Sequence, residues 1–207
     1  MEIKDGKNVV LAKSRTEWRN WLSANHDKEN SVWLVLYHKG SSTPSVEIAE
    51  AMEEALCFGW IDSKAKKRDK ESFYLTFSQR KPQSNWSNIN KERVNRMTNL
   101  GLMTESGQRL IDLAKKTGTW DALTDVQNLV IPADLQELFN RNGTAFGHFE
   151  KFSPSSKRVI LEWIQNAKKP ETRQRRIAET VRLAAENLKA NHSRQSFAHG
   201  AFYAKCK

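Results

Sequence analysis

The chain has 207 residues and a formal net charge of +10, with 38% hydrophobic residues and seven tryptophans. This length and composition provide a core for one large domain or two small ones and argue against a disordered chain. Two cysteines, Cys57 and Cys206, do not make a disulfide framework. We find no signal-peptide pattern, and no stretch approaches the about 18 apolar residues that a membrane helix needs. We therefore expect a cytoplasmic protein with no membrane span.

The first 80 residues alternate between strand and helix patterns. Ser14 and Glu17 form the S-x-x-E capping pattern of a first helix that buries Trp18, Trp21 and Leu22. The predicted strands are 8–13, 31–39, 60–66 and 72–79, and a second helix is predicted from its cap at Ser45 through Cys57.

From Ser87 onward the pattern is helical. A helix is predicted over 88–99, with Ile89, Val94 and Met97 facing the core. Further helices are predicted after Thr104, over 133–140, after Ser153-Pro154 and after Pro170. The last of these has a predicted buried stripe of Ile177, Val181, Ala184 and Leu188. Asn142-Gly143 is interpreted as a turn.

These patterns predict an α+β fold: a small, mostly antiparallel N-terminal sheet with helices, followed by an all-helical C-terminal half. We expect an α/β part over 1–86, a helical part over 87–190 packed on it, and a basic tail over 191–207. The charge is concentrated towards the end, because 151–207 contains 13 Lys and Arg against 4 Asp and Glu. The first 150 residues are nearly neutral.

Several motifs together support a family resemblance. They are Trp21-Leu22, the strand around Trp33, 54–62 (EALCFGWID), 77–90 (FSQRKPQSNWSNIN), 101–103 (GLM), Gly107, 114–120 (AKKTGTW) and 163–176, which ends in Thr172-Arg-Gln-Arg-Arg176. The chain resembles the YdeI/OmpD-associated (OmdA-like, bacteriocin-protection) family of bacterial proteins, from about Thr16 to Leu188. It departs from the family pattern at Gln79, where proline usually precedes the arginine of the turn. The resemblance implies protection against bacteriocins and other antimicrobial or envelope stress, and the family has no settled reaction, cofactor or catalytic residues.

The residues themselves show no motif of a catalytic or metal-binding site, in agreement with the resemblance. The five histidines are scattered, with no pair at metal-ligand spacing, and no phosphate-binding or dinucleotide motif is present. Cys57 lies among apolar residues, so we interpret it as a core side chain rather than a nucleophile. We therefore expect no metal site, no cofactor and no catalytic residue.

The polar turn after the last predicted strand is the first candidate ligand-binding site. Arg80 and Lys81 could hold an anion and Trp86 could stack on a planar group. A structural interpretation is favoured, in which Asp62 pairs with Arg80, Trp86 covers the core, and Asn85 or Ser87 caps the next helix. The candidate residues here are Asp62, Arg80, Lys81, Ser84, Trp86 and Asn90.

Arg173 is the last candidate site residue. It falls in the first turn of the final helix, where a positive charge opposes the helix dipole. We expect a carboxylate or carbonyl group from the N-terminal half to offset this, with Asp62, Glu54 and the loop near Trp86 as the candidates. On that prediction Arg173→Ala costs about 3 kcal/mol or more.

Three function classes stay open. The first is a bacteriocin-protection or stress-resistance protein that binds an unknown protein or a small anionic ligand. The second is a weak, non-specific nucleic-acid binder that uses the basic C-terminal half. The third is an enzyme on a small anionic substrate, using Asp62, Arg80 and Lys81. We favour them in that order, which favours binding over catalysis.

Overall fold

A computed structural model describes residues 2–191, so the predicted tail lies outside the described residues from residue 192 onward. The described residues form two compact units, 2–121 and 122–191. The sequence-based division into an α/β part over 1–86 and a helical part over 87–190 stays a prediction.

The first unit contains a five-stranded sheet. Its strands are β1 (Ile3–Lys4), β2 (Lys7–Leu11), β3 (Ser31–Tyr37), β4 (Trp60–Lys67) and β5 (Ser72–Gln79). The strand order is β1-β2-β3-β5-β4, and β2 pairs with β3 in parallel while the other neighbours are antiparallel. The sheet is therefore mixed, because the helix between β2 and β3 provides the crossover that a parallel pair requires.

Nine helices lie in the described part of the chain. They are α1 (Arg15–Asn25), α2 (Ile48–Cys57), α3 (Asn88–Asn99), α4 (Glu105–Thr117), α5 (Thr124–Gln127), α6 (Ala133–Asn140), α7 (Gly143–Lys151), α8 (Pro154–Gln165) and α9 (Pro170–Ala185). The α+β class is confirmed, with the sheet in the N-terminal half and most helices after it. None of these helices combines the length and the apolar character that crossing a membrane requires.

One face of the sheet makes the main core of the first unit. Leu34 and Leu36 of β3 and Phe73, Leu75 and Phe77 of β5 pack against α1 and α2. Trp18 of α1 is fully buried there, and its indole N–H donates to the Ala51 carbonyl of α2 at 3.0 Å. The opposite face has a smaller cluster of Trp33, Val35 and Tyr74.

Three local predictions for the first unit are wrong. Ser45 does not cap α2; the helix begins at Ile48, and the Ser45 hydroxyl accepts the Tyr37 backbone N–H at 3.0 Å. Ile89 is 61% exposed because it lies in the first turn of α3, whereas Val94 and Met97 are buried as predicted. Trp21 is only partly buried, stacked on Trp18.

The second unit is helical and has its own core. Phe139 of α6, Phe149 of α7, Ile160 of α8 and Ile177 of α9 are buried in one cluster. Asn142 was interpreted as part of a turn, but its side chain caps α7 by accepting the Ala145 N–H at 3.0 Å. The predicted stripe of α9 ends early, because the helix stops at Ala185 and Leu188 is 51% exposed.

Candidate functional site

The polar turn begins where β5 ends. The Arg80 backbone N–H donates to the Gly59 carbonyl at 2.9 Å, which ties the residue to the start of β4. The chain then reverses, with the Ser84 N–H donating to the Lys81 carbonyl at 3.0 Å. Ser87 caps α3 by accepting the Asn90 N–H at 3.4 Å, one of the two capping alternatives. The turn is therefore anchored at both ends by ordinary backbone and capping interactions.

The Arg80 side chain lies inside the protein beneath this turn. It is 5% exposed, and its guanidinium carbon lies 3.7 Å from the centroid of the Trp86 ring. One terminal nitrogen, Nη2, donates to the Asn85 carbonyl. The other two nitrogens, Nε and Nη1, are buried and have no hydrogen-bond partner among the described residues. Buried polar groups are nearly always paired, so this guanidinium retains unused donor capacity.

Burial sets the electrostatics of Arg80. Loss of solvation lowers the pKa of the guanidinium to about 10, and the negative charge of Asp62 acts in the opposite direction. Arg80 therefore stays positively charged at neutral pH. Asp62 lies on β4 opposite Phe77 of β5, and its predicted pair with Arg80 stays a prediction.

Trp86 fills a small hydrophobic cluster behind the turn. It is buried with Leu56 of α2, Val94 of α3 and Ile111 of α4, and its ring centroid lies 5.0 Å from that of Trp120. One face of Trp86 is thus occupied by Arg80, so the ring is not an open stacking platform for a ligand.

The remaining candidate residues of the turn lie nearer the surface. Lys81 is exposed and Ser84 is half-buried. Asn90 is also half-buried, and its Oδ1 accepts from Arg93 Nη1 at 2.9 Å. The structure therefore brings together six of the candidate residues, two of them buried below the surface.

Arg173 has a different partner from those expected. Its Nε and Nη2 donate to the two carboxylate oxygens of Asp134 at 2.6 and 2.9 Å, within the second unit. The side chains are 31% and 47% exposed, so water screens this pair. The predicted pairing of Arg173 with Asp62, Glu54 or the loop near Trp86 is therefore wrong, because its partner is Asp134. The predicted cost of about 3 kcal/mol for Arg173→Ala is too large, because it assumed a buried pair.

Sequence reasoning missed a buried charge cluster in the first unit. Glu54 of α2 is 1% exposed and accepts from Arg15 Nε at 2.6 Å and from Arg19 at 2.5 Å. Glu53 is also buried and pairs with Arg15 and Arg96. Two adjacent acids among the apolar residues of α2 were the available sign, together with two arginines four residues apart in α1. All these charges have partners, so the cluster is structural.

His26 and Cys57 have structural roles in the first unit. Both ring nitrogens of His26 are in hydrogen bonds, to the Leu22 carbonyl and the Ser106 hydroxyl, each at 3.0 Å. Cys57 is buried in the main core, as predicted. Burial, followed by the negative charge of Glu54, raises the pKa of its thiol to about 11. Within residues 2–191, no three His, Cys, Asp or Glu side chains form a group that could hold a metal ion.

A second polar feature lies in the second unit and was not predicted. It is an open cleft of about 540 Å³, which we call the basic cleft, between the end of α7 and the segment after α9. Its lining residues are His148, Lys151, Phe152, Ser153, Asn187 and Lys189. They are separated by up to 41 positions in the sequence, so no local spacing could have shown it.

Comparison with known families gives two matches, each within one unit. Residues 128–187 match the family model described as Bacteriocin-protection, YdeI or OmpD-Associated, or OmdA. The resemblance to the OmdA family is confirmed over these residues. Residues 10–110 match a domain of unknown function, DUF8412, and this range contains the motifs from Trp21 to Gly107. Among proteins of curated function and among solved structures, the chain has no significant match.

The OmdA match contains most of the basic cleft. His148, Lys151, Phe152, Ser153 and Asn187 lie within the matched residues, and Lys189 follows two positions after the match ends. The match also includes the pair of Asp134 and Arg173. The turn at Arg80 lies in the DUF8412 match.

Proposed function

We propose that this chain is a bacteriocin-protection or stress-resistance protein that acts by binding a ligand or partner and not by catalysis. The observation that carries this proposal is the match of residues 128–187 to the OmdA family, whose description names bacteriocin protection. The nucleic-acid alternative rested on the basic C-terminal half, part of which lies outside the described residues, and it stays a prediction.

The state of the reactive side chains supports binding over catalysis. A thiol acts as a nucleophile in its thiolate form. With a pKa raised to about 11, Cys57 is almost entirely protonated at neutral pH. The ring of His26 is held by two hydrogen bonds, so neither nitrogen is available as a general base without breaking one of them.

We further propose that the turn over 81–90 contacts an anionic ligand. Lys81 presents a positive charge at the surface, and Ser84 and Asn90 provide neutral polar groups beside it. Arg80 supports the turn from below and has two unused N–H donors. A small shift of the turn would make these donors available to a carboxylate or phosphate, which arginine binds well.

The proposal is tested by the survival of bacteria exposed to a bacteriocin. Cells that lack the endogenous gene receive an empty vector or a plasmid for the wild-type chain, and the wild type is expected to increase survival. Cys57→Ala is expected to keep this protection, because a binding mechanism does not use the thiol. Equal survival with vector and wild type contradicts the protective role, and loss of protection by a folded Cys57→Ala variant contradicts the binding mechanism.

The turn is tested in the same assay by reversing one charge. Lys81→Glu is expected to reduce protection, because it places a negative charge where the anionic ligand is proposed to bind. Lys70→Glu makes the same change at an exposed lysine of the β4–β5 hairpin and serves as the control. An equal effect of the two substitutions would leave the protective role standing but rule out the turn as the contact surface.

A further inference from the structure

The basic cleft carries positive charge that no carboxylate among residues 2–191 neutralises. Lys151 and Lys189 are exposed lining residues, and neither forms an ion pair with a carboxylate in residues 2–191. Acidic residues do lie near them in the chain, but both have other partners. Glu150 pairs with Lys157 at 3.1 Å, and Glu186 pairs with Arg182 at 3.1 Å. None of the lining residues in the described part of the chain is acidic.

The polar walls of the cleft are held in place by hydrogen bonds. His148 donates from Nδ1 to the Ala184 carbonyl at 2.8 Å, which fixes its ring at the end of α9. Asn187 adopts a left-handed backbone, with φ of 57°, and its N–H donates to the same carbonyl at 2.9 Å. Ser153 caps α8 by accepting the Ser156 N–H at 3.3 Å. These hydrogen bonds hold the His148 ring, the start of α8 and the backbone after α9 in place around the cleft.

The helix ends around the cleft act in opposite directions on an anion. The last carbonyls of α7 and α9 carry partial negative charge, whereas the start of α8 carries partial positive charge. The Ala184 carbonyl already accepts two N–H groups, so its repulsion is reduced. Lys151 lies in the last turn of α7 and offsets the negative end of that helix. The net field that the described residues make at the cleft is then set by Lys151 and Lys189.

One wall of the cleft is apolar. Phe152 is a lining residue, and the Lys189 ammonium lies 5.9 Å from the centroid of its ring. A free inorganic ion would leave this wall unused. The volume of about 540 Å³ lies within the range of small-molecule sites. An organic ligand with one charged end therefore fits the cleft better than an ion alone.

We propose that the basic cleft binds a phosphate monoester carried by a small organic molecule or by a lipid headgroup. A phosphate monoester carries a charge of about −1.5 to −2 at neutral pH, which matches two lysines. Lysine is a compact point charge suited to phosphate, whereas a carboxylate is recognised best by the two-pronged guanidinium group, which none of the described lining residues provides. This site goes beyond the proposed protective function and lies in a different unit from the turn at Arg80.

The test titrates the full chain with phenyl phosphate and measures binding from the amide chemical shifts in NMR spectra. We expect saturable shifts at the cleft residues. Lys151→Gln with Lys189→Gln should weaken the binding by about tenfold or more, since both charged contacts are lost. The matched control is Lys168→Gln with Lys169→Gln, two exposed lysines of the same unit, which should change the dissociation constant less than about twofold. Equal melting temperatures show that both variants fold.

Two further arms identify the chemistry and its source. Benzoate, with the same ring and one negative charge, is expected to bind more weakly, and equal binding of benzoate would contradict the phosphate assignment. The lipid source is tested with vesicles that contain either phosphatidic acid or phosphatidylglycerol at equal surface charge. If the wild type binds only the phosphatidic acid vesicles, and the cleft variant does not bind them, the phosphate belongs to a lipid headgroup. The proposal is overturned if neither phosphate source binds saturably or if the control variant loses as much binding as the cleft variant.

Discussion

Arg80 and Trp86 form a stacked pair, with 3.7 Å between the guanidinium carbon and the centroid of the indole ring. The pair connects the end of β5 to the hydrophobic cluster that Trp86 forms with residues of α2, α3 and α4. Because one nitrogen of Arg80 also donates to the Asn85 carbonyl, the guanidinium fixes both the ring and the turn that precedes it. The feature that sequence analysis proposed as a ligand site therefore has a demonstrable structural role.

Arg80→Lys is expected to destabilise the protein by about 1–2 kcal/mol, measured by urea unfolding. Lysine keeps the charge but lacks the planar group that stacks on Trp86 and reaches the Asn85 carbonyl. Lys81→Gln, at the neighbouring exposed residue, should cost less than about 0.5 kcal/mol. Identical unfolding midpoints for the two variants would show that the stacked pair does not stabilise the fold.

Glu54→Gln is expected to cost about 3 kcal/mol, because the buried carboxylate is the common partner of Arg15 and Arg19. The control is Glu105→Gln, which removes an exposed pair with Arg109 on α4 and should cost less than about 0.5 kcal/mol. Both values come from the same urea unfolding series. A Glu54→Gln variant as stable as the control would contradict the view that the cluster supports the first unit.

Gly107→Ala is expected to destabilise the first unit by about 1–3 kcal/mol or more. A Cβ atom at this position would lie 2.3 Å from the Cys57 carbonyl oxygen, so α4 approaches the end of α2 only because the residue is glycine. Gly147→Ala, inside α7 with no atom near the added Cβ, should instead stabilise by about 0.5–1 kcal/mol. Thermal unfolding of the two variants gives the comparison, and a shift of the same sign in both would refute this explanation.

Asp134→Asn tests the ion pair with Arg173 through its pH dependence. The hydrogen bonds from Arg173 hold the pKa of Asp134 below its usual range, so the pair stabilises the protein above the unfolded-state pKa of about 3.9. That stabilisation is lost as the pH falls through the lowered pKa. Near neutral pH the free energy of unfolding of the wild type should exceed that of the variant by about 0.5–1 kcal/mol, a small difference because the pair is partly exposed. Chemical unfolding across the acid range should show this difference disappearing, and a difference that is constant with pH would contradict the assignment.

Features that depend on near neighbours in the sequence were predicted well. The caps at Ser14, Thr104 and Ser153 follow from a short side chain next to an amphipathic pattern, and each accepts the expected backbone N–H. Ser45 has the same chemistry, but its hydroxyl is taken by Tyr37, a residue of the preceding strand. A competing partner of this kind arises from tertiary structure, which local capping rules do not include.

The site residues show the same division. The turn from Arg80 to Asn90 is continuous in sequence, and its packed tryptophan and capping serine were among the predicted features, whereas the burial of Arg80 was not predicted. The partner of Arg173 could not, because Asp134 lies 39 positions earlier and only helix packing brings the two together. The basic cleft likewise combines α7 with the segment after α9, and neither part has a recognisable motif alone.

The most direct measurement of the central proposal is protection as a function of protein amount. Bacteria expressing the chain from a graded promoter are exposed to a fixed dose of bacteriocin, and survival is plotted against the quantified level of the protein. A protein that protects by binding should give survival that increases with its amount until the ligand is saturated. Full protection at the lowest detectable level would indicate catalytic turnover, and no protection at any level would contradict the proposed function.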